Sequence, residues 1–154
     1  MRLALVLTLE GLLVLAGLVF AQNSQYQELA TIKQIMAATQ GPAMNALVAF
    51  NKAGGPKDDK EWEQAGADAA VLAETSQLLL MGARPAHEAV KKPENGDARD
   101  VWVKSSQRLQ TAALASAKAA EAKDLDAWKA SVNQLGGACR SCHTIHRKPT
   151  KKSE

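Results

Sequence analysis

The sequence predicts an all-α domain, arranged as an antiparallel up-down-up-down four-helix bundle. Alanine supplies 29 of the 154 residues, whereas Val, Ile and Thr together supply 19. That balance favours helix over sheet, because Ala loses no side-chain entropy in a helix and β-branched residues lose χ1 freedom there. Four segments with helical signals follow one another along the chain, and a chain of this length fits one domain.

Residues 1–21 have the composition of an export signal. Arg2 precedes an apolar run, Leu3–Phe20, and the small residue Ala21 follows it. Positive, apolar and small residues in this order are typical of a secretory signal peptide. We therefore expect cleavage after Ala21 and a periplasmic domain over residues 22–154.

An uncleaved N-terminal membrane anchor is the alternative for this segment. The apolar run approaches the length that spans a bilayer. Glu10 lies inside the run, and a carboxylate at the centre of a membrane helix costs about 2.5–3.5 kcal/mol on insertion scales. Glu10 therefore favours a cleaved signal over a stable anchor.

The first helical segment spans Ser24–Gln40 and resumes over Pro42–Lys52. We expect Gly41-Pro42 to bend it, because Pro lacks an N–H and its ring clashes with the preceding turn. The run Ala53-Gly54-Gly55-Pro56 is a clear stop signal.

The second segment begins at an N-cap, Asp58 or Asp59, and reaches about Met81 before Gly82 and Pro85. Its inward positions alternate by three and four residues. They are Trp62, Ala65, Ala69, Leu72, Ser76 and Leu79. A loop over residues 82–96 follows.

The third and fourth segments span Asp97 to Glu121 and Asp124 to Arg147. The third directs Trp102, Leu109, Ala113 and Ala120 inward. The fourth has the cleanest spacing in the chain, at Leu125, Trp128, Val132, Leu135, Cys139, Cys142 and His146. Intervals of three and four are the seam of a helix packed lengthwise on its neighbours. Short connections make sequential helices antiparallel.

The charge distribution argues against nucleic-acid binding and against an enzyme. The net charge is +3, and five basic residues lie at or after Arg140, which indicates a solvated tail rather than a basic face with stacking aromatics.

Asp residues at helix starts are explained by capping and form no catalytic pair. His87 lies in a Pro-flanked loop and is expected to be solvated.

The chemistry of the chain is concentrated at Cys139-Arg140-Ser141-Cys142-His143. This is Cys-x-x-Cys-His, the c-type haem attachment pattern, and it holds the only two cysteines. On a helix, sulfurs three residues apart can both bond to one edge of the porphyrin, while His143 reaches the iron from the same side. The sequence therefore predicts one haem c per chain, held by Cys139 and Cys142, with His143 as proximal iron ligand. A haem would also fill a core that holds few aromatic side chains.

Three other interpretations of these residues are open. A zinc site can use Cys139, Cys142, His143 and His146, but these lie along ~10 Å of one helix and do not converge without unwinding it. A redox-active Cys-x-x-Cys is expected at the N-terminal end of a helix, and this pair is near the C-terminal end. The third interpretation is a structural disulfide.

With this motif at the C-terminal end of a four-helix chain, the sequence resembles the cytochrome c′ family, the class II cytochromes c. Class I cytochromes carry the motif near the N-terminus. The resemblance covers Gln22–Lys152 and includes Leu135-Gly136-Gly137-Ala138, Gly96-Asp97-Ala98-Arg99 and the basic Arg147. His146 departs from it, because the family usually has Tyr or Phe there.

The resemblance leaves two possibilities for the sixth ligand: an apolar residue of the first helix blocks the distal face in five-coordinate members, whereas the first helix supplies a ligand in low-spin members. Low-spin members place a Met there, and Met36 falls at that position, sharing a helix face with Leu29, Ile32 and Ala43. An inward Met is otherwise core filler. Met44 is the second candidate ligand, and a distal face without a strong ligand is the third possibility.

These observations predict a periplasmic c-type cytochrome that carries single electrons to and from redox partner proteins. His143 and Met36 are the expected axial ligands, and Met/His ligation raises the potential. The alternative is a five-coordinate cytochrome c′ that binds nitric oxide or carbon monoxide. A metal-binding bundle without haem is a third hypothesis. The resemblance also implies a homodimer.

Overall fold

The computed structural model describes residues 28–81, 93–94 and 96–147, and within these ranges it contains helices and no β-strand. The elements are α1 (Ile32–Ile35), a π-helical turn (Met36–Gln40), α2 (Gly41–Lys52), α3 (Asp59–Leu78), α4 (Ala98–Glu121) and α5 (Leu125–His146). The all-α prediction is confirmed. The signal segment 1–21 and His87 lie outside the described residues. In the ranges above, no helix is both long and apolar enough to cross a membrane.

Three aspartates begin the three long helices, as the sequence predicts. The side chains of Asp58, Asp97 and Asp124 each accept a hydrogen bond from the backbone N–H three residues later, at 2.8–3.0 Å. Each bond satisfies a donor that the first helical turn leaves without a partner, and such a cap contributes about 1 kcal/mol. The starts of α3, α4 and α5 are therefore set locally.

The predicted start of the first segment is wrong. Residues 28–31 are not helical, and Leu29 is 85% exposed, so it does not share the face of Met36. The helix begins at Ile32 because Thr31 and Gln34 form a capping box. The Thr31 hydroxyl accepts from the Gln34 N–H at 3.2 Å, and the Gln34 side chain accepts from the Thr31 N–H at 2.9 Å.

Gly41-Pro42 does not interrupt the helix. Gln40 and Gly41 both have right-handed helical dihedrals, so α1, the π turn and α2 form one continuous helix, which we call the first helix. The Gly41 N–H donates to the Met36 carbonyl, five residues back. A turn wider than an α-helical one gives the ring of Pro42 room against the preceding carbonyls, so the clash expected from the sequence is relieved.

The inward faces predicted for the second and third segments are buried. On α3 these are Trp62, Ala65, Ala69, Leu72 and Ser76, with Leu79 just after the helix, and on α4 they are Trp102, Leu109, Ala113 and Ala120. On α5, Trp128, Val132 and Leu135 are buried, whereas Leu125, Cys139, Cys142 and His146 are half-buried. Small Ala and Ser side chains dominate these contacts, so the three helices approach one another closely.

Side chains at the helix ends join α3 to α4 and α5 to α4. The indole N–H of Trp102, at the start of α4, donates to the Leu79 carbonyl at the end of α3, at 2.8 Å. At the other end of α4, Lys123 lies 2.7 Å from the Asp59 carboxylate at the start of α3. The His146 ring, at the end of α5, returns to the start of α4, where its Nε2 lies 3.0 Å from the Ala98 carbonyl oxygen.

Candidate cofactor site

The last two turns of α5 carry both cysteines and His143. The helix is continuous from Leu125 to His146, so Cys139, Cys142 and His143 occupy positions i, i+3 and i+4 of regular α-helix. Both cysteines are free thiols and all three side chains are half-buried. The spacing places the two sulfurs one turn apart along adjoining faces, with the imidazole beside them. This is the donor arrangement that covalent haem attachment requires.

Burial holds both thiols in the protonated state. It raises the pKa of Cys142 to about 11, with a smaller contribution from the neighbouring Cys139. Burial also raises the pKa of Cys139, against the opposing charge of Arg140. Redox-active Cys-x-x-Cys pairs depend instead on a lowered thiol pKa. The environment therefore argues against a thiol–disulfide exchange site.

The imidazole of His143 is held neutral at pH 7. Burial is the larger cause that lowers the pKa of His143, and the charge of Arg147, one turn later, lowers it further. A metal ligand must be the neutral imidazole, because only that form offers a ring-nitrogen lone pair. The lowered pKa therefore favours the form of His143 that can act as a metal ligand.

His146 is occupied by packing. Its ring meets Trp102 edge to face, with 5.2 Å between ring centroids, and Nε2 contacts the Ala98 carbonyl. In the parts of the chain that the structure describes, no group of three or more His, Cys, Asp or Glu side chains is arranged to hold a metal ion. These two findings weaken the zinc interpretation.

The first helix contacts α5 at Met44, and the turn after the first helix contacts the start of α5 at Gly55. A Cβ on Gly55 would collide with the Leu125 side chain, and the Met44 methyl lies 4.0 Å from the position of a Cβ on Gly136. Eleven residues separate Gly55 from Met44, and eleven separate Leu125 from Gly136. The pairs therefore run in opposite directions along the two helices.

If the two helices run on in opposite directions from the contact of Met44 with Gly136, helical rise would bring Met36 to about the height of His143. Met36 lies eight residues before Met44, which is ~12 Å of helix, and His143 lies seven residues after Gly136, which is ~10.5 Å. Two full turns also place His143 on the face of α5 that Gly136 directs at the first helix. Met36 is half-buried and packs against the core.

The π turn at Met36 is a feature that sequence reasoning missed. It occupies Met36–Gln40, the first residue of which is the predicted ligand. π-helical turns inside α-helices occur frequently at functional sites. The sequence feature that could have indicated this turn is Gly41-Pro42, since a proline inside a strongly helical segment requires either a break or a widened turn.

Comparison of the chain with protein-family models, with curated proteins and with solved structures finds no match. The functional assignment depends on the residues and their geometry.

Proposed function

We propose that the protein is an exported c-type cytochrome of the class II type, which carries single electrons in the periplasm. The observation that carries this proposal is the arrangement of two half-buried free thiols and a half-buried imidazole at positions i, i+3 and i+4 of one continuous helix. Neither a disulfide, a zinc site nor a thiol redox pair suits that arrangement as well.

The fold that accompanies this proposal is an antiparallel up-down-up-down four-helix bundle. It is supported by the Trp102–Leu79 bond at one end of α3 and α4 and by the Lys123–Asp59 pair at the other. The contact of His146 with Ala98 supports the same reversal between α4 and α5. The contacts of Gly55 with Leu125 and of Met44 with Gly136 support an antiparallel packing of the first helix on α5.

The residues present fit a covalent haem. If haem is bound, the S–H groups of Cys139 and Cys142 would add to its two vinyl groups as thioethers, and a ring nitrogen of His143 would ligate the iron. When bound, haem supplies a reversible one-electron iron couple, whose potential the protein tunes through axial ligands and burial. Burial of all three side chains fixes their positions and limits the access of water.

We assign the second axial position to Met36. Its half-buried position against the core supports this assignment, as does the height near His143 expected from helical rise. The thioether is a soft, neutral ligand, and Met together with His raises the potential of a haem. Met44 packs against Gly136, two turns from the level of His143, and is therefore assigned to the core.

Haem staining of the exported protein after denaturing electrophoresis tests the proposal, because only covalent haem survives denaturation. The wild type should stain, and Cys139→Ser with Cys142→Ser should not. Ser141→Ala is the matched control, since it changes the same turn and leaves both sulfurs in place. An unstained wild type, coexpressed with the haem-attachment machinery, contradicts the proposal. A stained protein that is high-spin and binds carbon monoxide readily keeps the haem but assigns it to gas binding.

A further inference from the structure

Negative charge is absent from most of α4 and α5. Residues 101–120 and 127–147 contain no Asp or Glu, although the chain has 16 of them. The same two ranges contain six cations: Lys104, Arg108, Lys118, Lys129, Arg140 and Arg147. Carboxylates lie at the starts and ends of these helices and on other segments. The middle parts of α4 and α5 therefore carry positively charged and no negatively charged side chains.

A groove of about 610 Å³ lies between α4 and α5. Lys104, Gln107 and Arg108 line it from α4, and Gln134 and Gly137 line it from α5. Lys104 and Arg108 are exposed, and within residues 28–81, 93–94 and 96–147 neither has a carboxylate at ion-pair distance. Both cations and two side-chain amides are thus available to an external ligand.

Gly137 lines this groove, and the packing of the fold does not require a glycine at this position. A Cβ built on Gly137 meets nothing within 4 Å. Glycine inside a helix is nevertheless less favourable than alanine, because it loses more backbone freedom on folding. The conformation of α5 does not require a glycine there, since φ is not positive at this position. What Gly137 does provide is close access to the α5 backbone from outside.

The groove lies on the opposite side of α5 from the proposed haem-attachment site. Gly137 precedes Cys139 by two residues, and a helix turns by ~200° over that interval, so the groove and the Cys139 sulfur are on opposite sides of α5. The width of a single helix, ~10 Å with its side chains, separates them. A partner in the groove would be one helix away from the redox centre.

We propose that this groove, which we call the α4/α5 groove, is the docking surface for an acidic one-electron redox protein. The inference rests on the proposed function. Carboxylates of the partner pair with Lys104 and Arg108, and the planar guanidinium of Arg108 suits a bidentate carboxylate. With haem bound, one electron would pass between the partner and the haem iron, with no bond formed or broken. The groove lacks the stacking aromatics that a nucleic-acid surface uses.

Stopped-flow reduction of the ferric holoprotein by an acidic flavodoxin, at low and high salt, tests this surface. Lys104→Gln with Arg108→Gln should lower the second-order rate constant about tenfold at low salt and flatten its salt dependence. Lys118→Gln with Lys129→Gln is the matched control, since it removes the same charge at the other end of α4 and α5. The control should change the rate constant much less. Equal losses in the two double variants would show that net charge alone matters, and would overturn the proposal.

Gly137→Gln provides a second, uncharged test. Its side chain projects into the groove, and Gln is a better helix former than Gly, so the fold should be retained while the rate constant falls. An unchanged rate constant in Gly137→Gln would also overturn the proposal. Haem staining and the optical spectrum must be the same in all variants.

Binding of a short polyglutamate peptide separates failure of this inference from failure of the proposed function. We expect amide NMR shifts at Gln107, Arg108 and Gly137 that disappear in Lys104→Gln with Arg108→Gln. This measurement needs no electron transfer, so it decides the groove even if the wild type carries no haem. Peptide-induced shifts confined to residues outside the groove would contradict the proposal. Shifts at the groove residues with anionic vesicles, but none with the peptide, would also contradict a protein partner.

Discussion

The Met36 carbonyl oxygen lies 2.9 Å from the point that a side-chain Cβ would occupy on Gly41. The same oxygen accepts the Gly41 N–H across the π turn. Real Cβ atoms do not approach a backbone oxygen this closely, so the turn can form as it does only with glycine at position 41. The backbone of the proposed ligand and this glycine are therefore coupled.

Gly41→Ala should displace the π turn and with it Met36. We expect a loss of about 1–3 kcal/mol in the free energy of unfolding, since the obstacle is backbone rather than a movable side chain. The weak long-wavelength absorption band of a Met-ligated ferric haem should also diminish. Chemical denaturation and optical spectra measure the two effects. Gly66→Ala is the control, because its Cβ would lie 3.7 Å from the Ala120 Cβ, an ordinary contact.

Met36→Ala should remove the sixth ligand and Met44→Ala should not. In the first variant we expect the long-wavelength band to vanish, the potential to fall and carbon monoxide to bind. In the second, the loss of a core contact with Gly136 should lower stability while the spectrum stays low-spin. Optical spectra and redox titration compare the two. The opposite pattern would transfer the ligand to Met44.

Trp102→Phe should destabilise the protein more than Trp128→Phe does. The indole N–H of Trp102 donates to the Leu79 carbonyl at 2.8 Å, whereas the buried N–H of Trp128 has no hydrogen-bond partner in the described part of the chain. Both changes remove similar volume from buried positions. The lost hydrogen bond adds about 1 kcal/mol to the effect at position 102. Equal unfolding free energies from urea titration would contradict this account.

Asp59 should titrate below its ordinary pKa of 3.8 because of its hydrogen bond and charge interaction with Lys123. A lowered folded-state pKa adds stability that is fully present above the ordinary value and is lost as pH falls through the folded value. Asp59 is exposed, so we expect only a small contribution. In Lys123→Gln, the carboxyl pKa followed by NMR should return towards 3.8. An unchanged titration would show that the pair does not form in solution.

The sequence predicted the starts of three helices because their signals are local. An Asp followed by a helical segment caps its own backbone, so Asp58, Asp97 and Asp124 required no knowledge of tertiary structure. The start of the first helix was missed although Thr31 and Gln34 have capping-box spacing. The residues before Thr31 also include good helix formers, so the sequence alone does not separate them from the helix.

Other features depend on the register between distant segments and could not be read from the chain. The Cys139–His143 motif is contiguous, so its position on one helix followed directly. The height expected for Met36 depends on the contact of the first helix with α5 at Met44 and Gly136. The α4/α5 groove likewise combines Lys104 and Arg108 with a glycine from another helix.

The contact of Gly55 with Leu125 has a consequence for the order of folding. It joins positions 70 residues apart in the chain, whereas α3, α4 and α5 pack on their sequence neighbours. Closing a longer loop has a larger entropic cost, and distant contacts form slowly. Leu125→Ala removes the side chain that makes this contact. We therefore expect it to speed unfolding with little effect on the folding rate. The contact between the turn at Gly55 and the start of α5 would then form late, after α3, α4 and α5 have packed on their sequence neighbours.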